Sequence, residues 1–179
     1  MKRVVVISGP PGSGTTITGK RVAQKLGLKF FSVGLYYKGM SKEKNEGKAA
    51  LDLWKTELGS STGLHKNIDR LQTELAKRGG ILIEGTLSVH FLKDLSKYKI
   101  WFDIPLVVRA ERTAKRDKIS YETALKGIQE RQRIERKRWK EIYGFDYFDQ
   151  KDDADLVISD GNAGIDEIVD KIIAFVEQE

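Results

Sequence analysis

Apolar residues in this 179-residue chain fall into short dense runs separated by longer amphipathic stretches. Val4-Val5-Val6-Ile7 is four consecutive β-branched residues leading into a glycine-rich turn, which predicts a strand over residues 3–8 buried on both faces. Further short strands are predicted at 29–32, at 81–83 ending on Glu84-Gly85, at 99–103 closed by Pro105, and at 155–159. Helices are predicted between them. One runs from about Thr15 to Leu26, turns Val22, Ala23 and Leu26 inward and stops at Gly27. Residues 41–79 read as two polar helical pieces separated by residues 59–63. The second piece, 64–77, places Leu64, Ile68, Leu71 and Leu75 on one face and stops at Gly79-Gly80. Val33-Gly34 reads as a turn. A helix follows over 106–116, then a long one over 120–140, with Ser120 and Glu122-Thr123 suited to its N-terminus. The last helix repeats apolar residues at 165, 168, 169, 172, 173 and 176, a 3.6-residue period.

Short buried strands alternating with helices predict a parallel sheet covered on both faces. With no linker and no internal repeat, the chain is expected to form one α/β domain carrying helical insertions at 35–79 and 117–150.

Composition narrows the chemistry. The chain has no cysteine, which excludes disulfides, thiolate catalysis and cysteine-ligated metal centres. Its two histidines, His65 and His90, make a histidine metal site a poor reading, and both are expected to be non-functional. MKRVVVIS carries no signal-peptide core, and no apolar run approaches the roughly 20 residues of a membrane span, so a cytosolic protein is expected. Net charge is +6. Between Lys118 and Lys140 eight Lys/Arg face three Glu, a net of +5, so most of the excess sits in one segment and calls for an anionic partner.

The candidate anion site lies at the first strand. Gly9-Pro10-Pro11-Gly12-Ser13-Gly14-Thr15-Thr16 has the layout of a phosphate-binding loop, G-x-x-x-x-G-K-[ST], with Thr15 in the lysine position. Glycines let the backbone curl until several N–H groups converge on an anion, and the following helix adds its positive end. Thr16 supplies the hydroxyl that holds Mg²⁺ in such loops. The ammonium that would reach the outer phosphates is missing.

GPPGSGTT, SVGLYYK, EGTL, PLVVRAERTAKRD and ERQRIERKRWKEIYG together resemble the archaeal type of cytidylate kinase, over nearly the whole chain. In that family the loop commonly reads G-x-x-G-[ST]-G-T-[ST], so the resemblance implies that Thr15 is a family trait. It implies a five-stranded parallel P-loop kinase sheet flanked by helices, with a monophosphate-binding insertion and a lid. It also implies ATP as donor, Mg²⁺, CMP or dCMP as acceptor, and a monomer. ATP would lie on Gly9–Thr16. Mg²⁺ would lie on Thr16, with Glu84 reached through water. Arg112 and Arg116 are assigned to the ATP phosphates; Arg131, Glu135 and Arg138 to the monophosphate or its sugar and base. A lid arginine and Mg²⁺ together can stand in for one absent ammonium, because phosphoryl transfer asks mainly for positioning and charge neutralisation.

Two places depart from the family pattern. Glu84-Gly85-Thr86 stands where the family has Asp-Gly-Arg, and Lys38 after Ser32-x-Gly34 stands where it has an arginine. Two donors to the acceptor phosphate are thus altered, and Lys38 and Arg70 are the candidates to compensate. The alternatives are a kinase for a different acceptor, or a non-catalytic nucleotide- or RNA-binding protein using the 118–140 strip. That strip lacks the closely interleaved aromatics of a single-strand binder. Arg109, Arg112 and Arg116 share one helical face, and so do Arg131 and Arg138; the bland reading of both sets is a solvated basic surface. Asp103 before Pro105 reads as a turn or helix cap, Trp139, Tyr143 and Tyr147 as packing, and residues 159–162 as the loop that would run along adenine.

Overall fold

The computed structural model describes residues 2–40, 49 and 52–178. Five strands, β1 (Val4–Ser8), β2 (Lys29–Ser32), β3 (Ile81–Glu84), β4 (Tyr98–Phe102) and β5 (Leu156–Ile158), form one parallel sheet in the order β2-β3-β1-β4-β5. β1 is buried along its whole length, as its unbroken β-branched run requires. It pairs with β3 on one side (Val5 opposite Leu82) and β4 on the other (Ile7 opposite Ile100).

The strand order reverses at β1: the chain leaves it toward β2 and β3, then crosses to β4 and β5. Ligands of open α/β sheets bind at such a switch point, beyond the carboxyl ends of the strands. The glycine loop stands there.

Helices cover both faces. α1 (Thr15–Lys25) and the C-terminal α7 (Ile165–Glu177) bury Val22, Ala23, Ile168, Val169, Ile172 and Val176 against one side. α3 (Thr62–Arg78) and the short α4 (Ser88–Leu92) cover the other with Ala76, Val89 and Leu92. α5 (Leu106–Asp117) leads into α6 (Tyr121–Tyr143), whose N-cap Ser120 accepts from Thr123 N at 3.2 Å as its sequence predicts. A third apolar cluster, with Tyr37, Trp54, Ile68, Leu87, Trp101 and Trp139, joins α3, α6 and the segments that follow β2 and β3.

Several elements differ from the sequence pattern. Val33-Gly34 is not a turn but the start of α2 (Val33–Lys38), whose first turn is capped by Ser32: its Oγ accepts from Leu35 N at 3.1 Å. α3 begins at Thr62, capped by Ser61; of the predicted face Ile68 is buried and Leu64 and Leu75 pack half-buried against the apolar clusters, while His65, Gln72 and Ala76 are the other buried positions. A 3₁₀ turn, Tyr147–Lys151, follows α6. Asp103 does not cap α5; its carboxylate pairs with Lys151 at 2.6 Å. Of the predicted first piece of the 41–79 region, residues 41–48, 50 and 51 lie outside the described residues. Among those described, no helix is long and apolar enough to cross a membrane.

Candidate active site

Gly12 and Gly14 adopt φ of 84° and 90°, a region that a side chain strains and glycine tolerates. This curls the loop so that α1 starts at Thr15 with no side-chain cap, leaving its first N–H groups to face an anion. Ser13 serves the loop itself: its N–H and Oγ both donate to Pro10 O, at 3.2 and 2.6 Å. Thr16 is partly exposed at the first turn of α1.

Thr15, in the lysine position, turns inward. Its Oγ1 donates to Glu84 Oε1 at 2.7 Å, and Ser32 Oγ donates to Glu84 Oε2 at 2.5 Å. Glu84 is buried at the end of β3. One carboxylate therefore fastens the phosphate loop, the end of β3 and the cap of α2 to one another. Each oxygen keeps a second lone pair, so a contact to metal-bound water is still compatible with this clamp.

The arginines divide by what they touch. Arg109, 4% exposed, donates to Ile104 O, to Pro11 O of the loop and to Gln132 Oε1, at 3.0, 2.9 and 3.0 Å. Arg112 donates to Ser13 O of the loop at 3.0 Å and to Gly161 O at 2.9 Å, tying the loop to the 159–162 segment. Burial lowers both guanidinium pKa values from the ordinary arginine range. Arg116 is exposed and pairs with Asp117. Arg138 donates twice to Ser60 O, at 3.0 and 2.8 Å, and so holds the segment before α3 against α6. Arg131 donates to Glu135 Oε1 at 2.7 Å.

Arg131 and Glu135 belong to a cavity of about 520 Å³, mouth included, between α2, α3 and α6. Val33, Gly34 and Thr86, which directly follow Ser32 and Glu84-Gly85, form its wall toward the loop. Tyr37 and Trp54 flank His65, whose ring stacks on Trp54 at 4.7 Å between centroids. Glu135 is 2% exposed, and its Oε1 also accepts from Trp54 Nε1 at 3.1 Å. Its Oε2 is buried without a hydrogen-bond partner among the described residues, as is His65 Nε2. Unsatisfied buried polar atoms are costly, so their concentration in a cavity wall marks a place built for a polar ligand.

Burial dominates the electrostatics here. It lowers the His65 pKa to about 4 and raises that of Asp69 to about 6, although Asp69 accepts from Tyr143 OH and Gln72 Nε2. Burial also raises Tyr37, with Glu135 adding to the effect.

Among the sequence-predicted residues, Thr86, Arg131 and Glu135 line this cavity. Arg138 and Ser32 brace its walls through the bonds above. Arg70 does not reach it. The cavity face of α3 runs through His65, Ile68, Asp69 and Gln72, and at 100° per residue Arg70 falls on the exposed side. Lys38 ends α2 outside the cavity lining. His65, expected to be non-functional, and Trp54, Asp69 and Gln72, which the sequence did not single out, are all in the wall; Trp139 and Tyr143 are there too. The only advance signal was the spacing 65, 68, 69, 72, an i, i+3, i+4, i+7 face of mixed polarity.

Residues 4–162 match the cytidylate kinase-like family. A cytidylate kinase of Pyrococcus horikoshii is 40% identical over 148 residues, covering 83% of this chain and 75% of that one. A cytidylate kinase of Ignicoccus hospitalis is 36% identical over 169 residues, covering 94% and 96%. A shikimate kinase from Acinetobacter baumannii, solved in complex with shikimate, superposes with a TM-score of 0.64 at 16% identity over 100% of this chain and 97% of that one, a likeness of fold alone. Phosphate loop, five-stranded parallel sheet and sequence match agree, and the chain belongs to the cytidylate kinase-like family.

Proposed function

We propose that the protein phosphorylates CMP or dCMP to the diphosphate at the expense of ATP. The observation that carries this reading is the Glu84 clamp, which ties the phosphate loop to Ser32 and the end of β3, the two points from which the cavity-lining Val33-Gly34 and Thr86 lead on. ATP would lie along Gly9–Thr16, its phosphates on the loop N–H groups and its adenine near residues 159–162. The acceptor would enter the cavity, with Arg131 toward its phosphate and Glu135 Oε2 toward a hydrogen-bond donor on its base or sugar. In the transfer, an oxygen of the acceptor phosphate attacks the γ-phosphorus as the bond to the β–γ bridging oxygen breaks, and ADP leaves. The nucleophile is already an anion, so no dedicated base is needed. The chain's part is to align the two nucleotides, neutralise charge and exclude water.

Thr16 and Glu84 suit Mg²⁺, which takes few protein ligands and keeps several waters. Among the described residues no cluster of three or more acidic or histidine side chains offers a denser metal cage. When bound, the ion would neutralise phosphate charge. The 35–79 segment would serve as the acceptor-binding insertion and 117–150 as the lid of a single domain. The same reading expects a cytoplasmic monomer. A different acceptor or a non-catalytic role is not favoured, because relatives named cytidylate kinase match most of the chain.

ADP release from Mg·ATP, measured with CMP, dCMP, UMP, AMP, GMP or no acceptor, tests this. CMP or dCMP should stimulate above all others; equal stimulation by every acceptor, or by none, overturns it.

A further inference from the structure

The lysine missing from position 15 leaves the loop without a cation in front of the phosphates, yet two guanidinium groups stand behind it. Arg109 donates to Pro11 O and Arg112 to Ser13 O. Each of these carbonyls belongs to a peptide group whose other end is the N–H of a loop glycine, Gly12 or Gly14. α5 packs directly on the loop here: a Cβ on Gly12 would come within 3.2 Å of Arg109 Cβ and 3.1 Å of Thr113 Oγ1.

The partners of these two arginines are all neutral. Arg109 has Ile104 O, Pro11 O and Gln132 Oε1; Arg112 has Ser13 O and Gly161 O. Among the described residues neither pairs with a carboxylate. Asp103 and Asp160 act on them electrostatically, but Asp103 is paired with Lys151, and Asp160 accepts from the N–H groups of Asn162 and Ala163. Tyr147, the other group acting on Arg109, is a buried phenol that burial holds neutral. Buried charges are ordinarily paired, because desolvation without a counter-charge is costly. Here Arg109, buried, and Arg112, half-buried, stand without a direct ion-pair partner among the described residues, beneath a loop shaped for an anion.

We propose that Arg109 and Arg112 are positioning residues that replace the loop lysine from behind, delivering positive charge to the ATP phosphates through the Pro11–Gly12 and Ser13–Gly14 peptide groups. A guanidinium bonded to the carbonyl polarises the peptide and strengthens the N–H at its far end as a donor, as in any chained hydrogen bond. The charge itself acts across the loop in a poorly screened setting. The fixed fork of arginine suits this better than an ammonium, since one group can grip the loop and a neighbouring backbone carbonyl together. This differs from a lid arginine that touches phosphate, because the bonds of both side chains run to loop and neighbouring carbonyls and to Gln132. It rests on the reading that ATP binds this loop.

Calorimetric titration of the wild type, Arg112→Gln and Arg112→Lys with ATP, inorganic tripolyphosphate and CMP, together with the Gly14 amide resonance in the nucleotide-free protein, tests it. In Arg112→Gln, ATP and tripolyphosphate affinities should fall together by tenfold or more, CMP affinity should stay within twofold, and the Gly14 amide should shift. Arg112→Lys should recover part of the loss, and reports on the charge if the glutamine variant folds poorly. Unchanged tripolyphosphate affinity in Arg112→Gln overturns the proposal. So does a loss of ATP binding with the Gly14 amide unmoved, which would mean direct contact with phosphate. If the wild type binds CMP but neither ATP nor tripolyphosphate, the proposed function falls first and takes this inference with it.

Discussion

Arg131→Met isolates what holds the acceptor cavity together. Glu135 is 2% exposed, and among the described residues its Oε1 has two donors, the cation Arg131 through Nε at 2.7 Å and the neutral Trp54 through Nε1 at 3.1 Å. Removing Arg131 strands a buried carboxylate, and breaking such a pair costs about 3–5 kcal/mol. The Arg131 side chain is 20% exposed, and the Trp54 bond survives, so the lower end applies, about 3 kcal/mol. Methionine keeps most of the apolar stem, which separates lost charge from lost packing. Urea unfolding reads the stability, and kcat/KM for CMP and for ATP reads the site. Adding Glu135→Gln removes the stranded charge, so the double variant should return to within about 1 kcal/mol of the wild type. Its kcat/KM for CMP should nevertheless stay roughly 30–160-fold low, the order of a lost charged hydrogen bond of about 2–3 kcal/mol, with KM for ATP little changed. A single variant as stable as the wild type would refute the buried-pair reasoning. A fully active double variant would remove the pair from the acceptor site.

Two further outcomes follow from the same walls. His65, held near pKa 4 by burial, stabilises the fold fully above its unfolded value of 6.5 and loses that contribution as pH falls toward 4; Asp69, raised to about 6, contributes most below its unfolded value of 3.8 and loses it as pH rises through 6. The two slopes oppose one another across pH 4–6, so Asp69→Asn should expose a loss of about 2–3 kcal/mol on acidification and His65→Gln the reverse trend, read by urea unfolding at stepped pH; parallel slopes in both variants would contradict the assignment. Glu84→Gln keeps the shape of the clamp but trades charge-assisted bonds from Thr15 and Ser32 for neutral ones, which should cost about 1–2 kcal/mol of stability and raise KM for ATP and CMP together; a change confined to one substrate would mean that Glu84 does not join the two sites.

The parts legible in the sequence are those where local backbone chemistry decides the outcome. The buried strand, the paired glycines at positive φ and the amphipathic α7 follow from residues adjacent in the chain. α2 was hidden because six residues are too few to show a period, and its start depends on the Ser32 cap. The cavity was hidden for a different reason. Its wall draws on Tyr37, Trp54, His65 and Glu135, spread over four segments that only the tertiary fold brings together. On α3 the inward residues include His65 and Gln72, and their polarity masks the burial that a leucine face would announce. The arginines of α5 were legible as a cluster but not in role, since the same spacing serves a residue that grips phosphate and one that grips a carbonyl.

That last distinction bears on position 15. In a lysine-bearing loop the ammonium supplies charge from the ligand side. In this chain the side chain at 15 points to Glu84 instead, and Glu84 is also needed to cap the route into α2 through Ser32. A lysine placed there would meet a buried carboxylate before it met a phosphate, and the attraction at that distance in a poorly solvated setting would hold it there. Threonine avoids that competition: it satisfies Glu84 with a neutral hydroxyl and adds no cation between the acid and the ligand. Positive charge then has to reach the phosphates by another path. The path through Arg109 and Arg112 uses peptide groups already oriented by Gly12 and Gly14. The threonine, the acid and the two arginines thus form one arrangement, in which changing any member alters what the others can do.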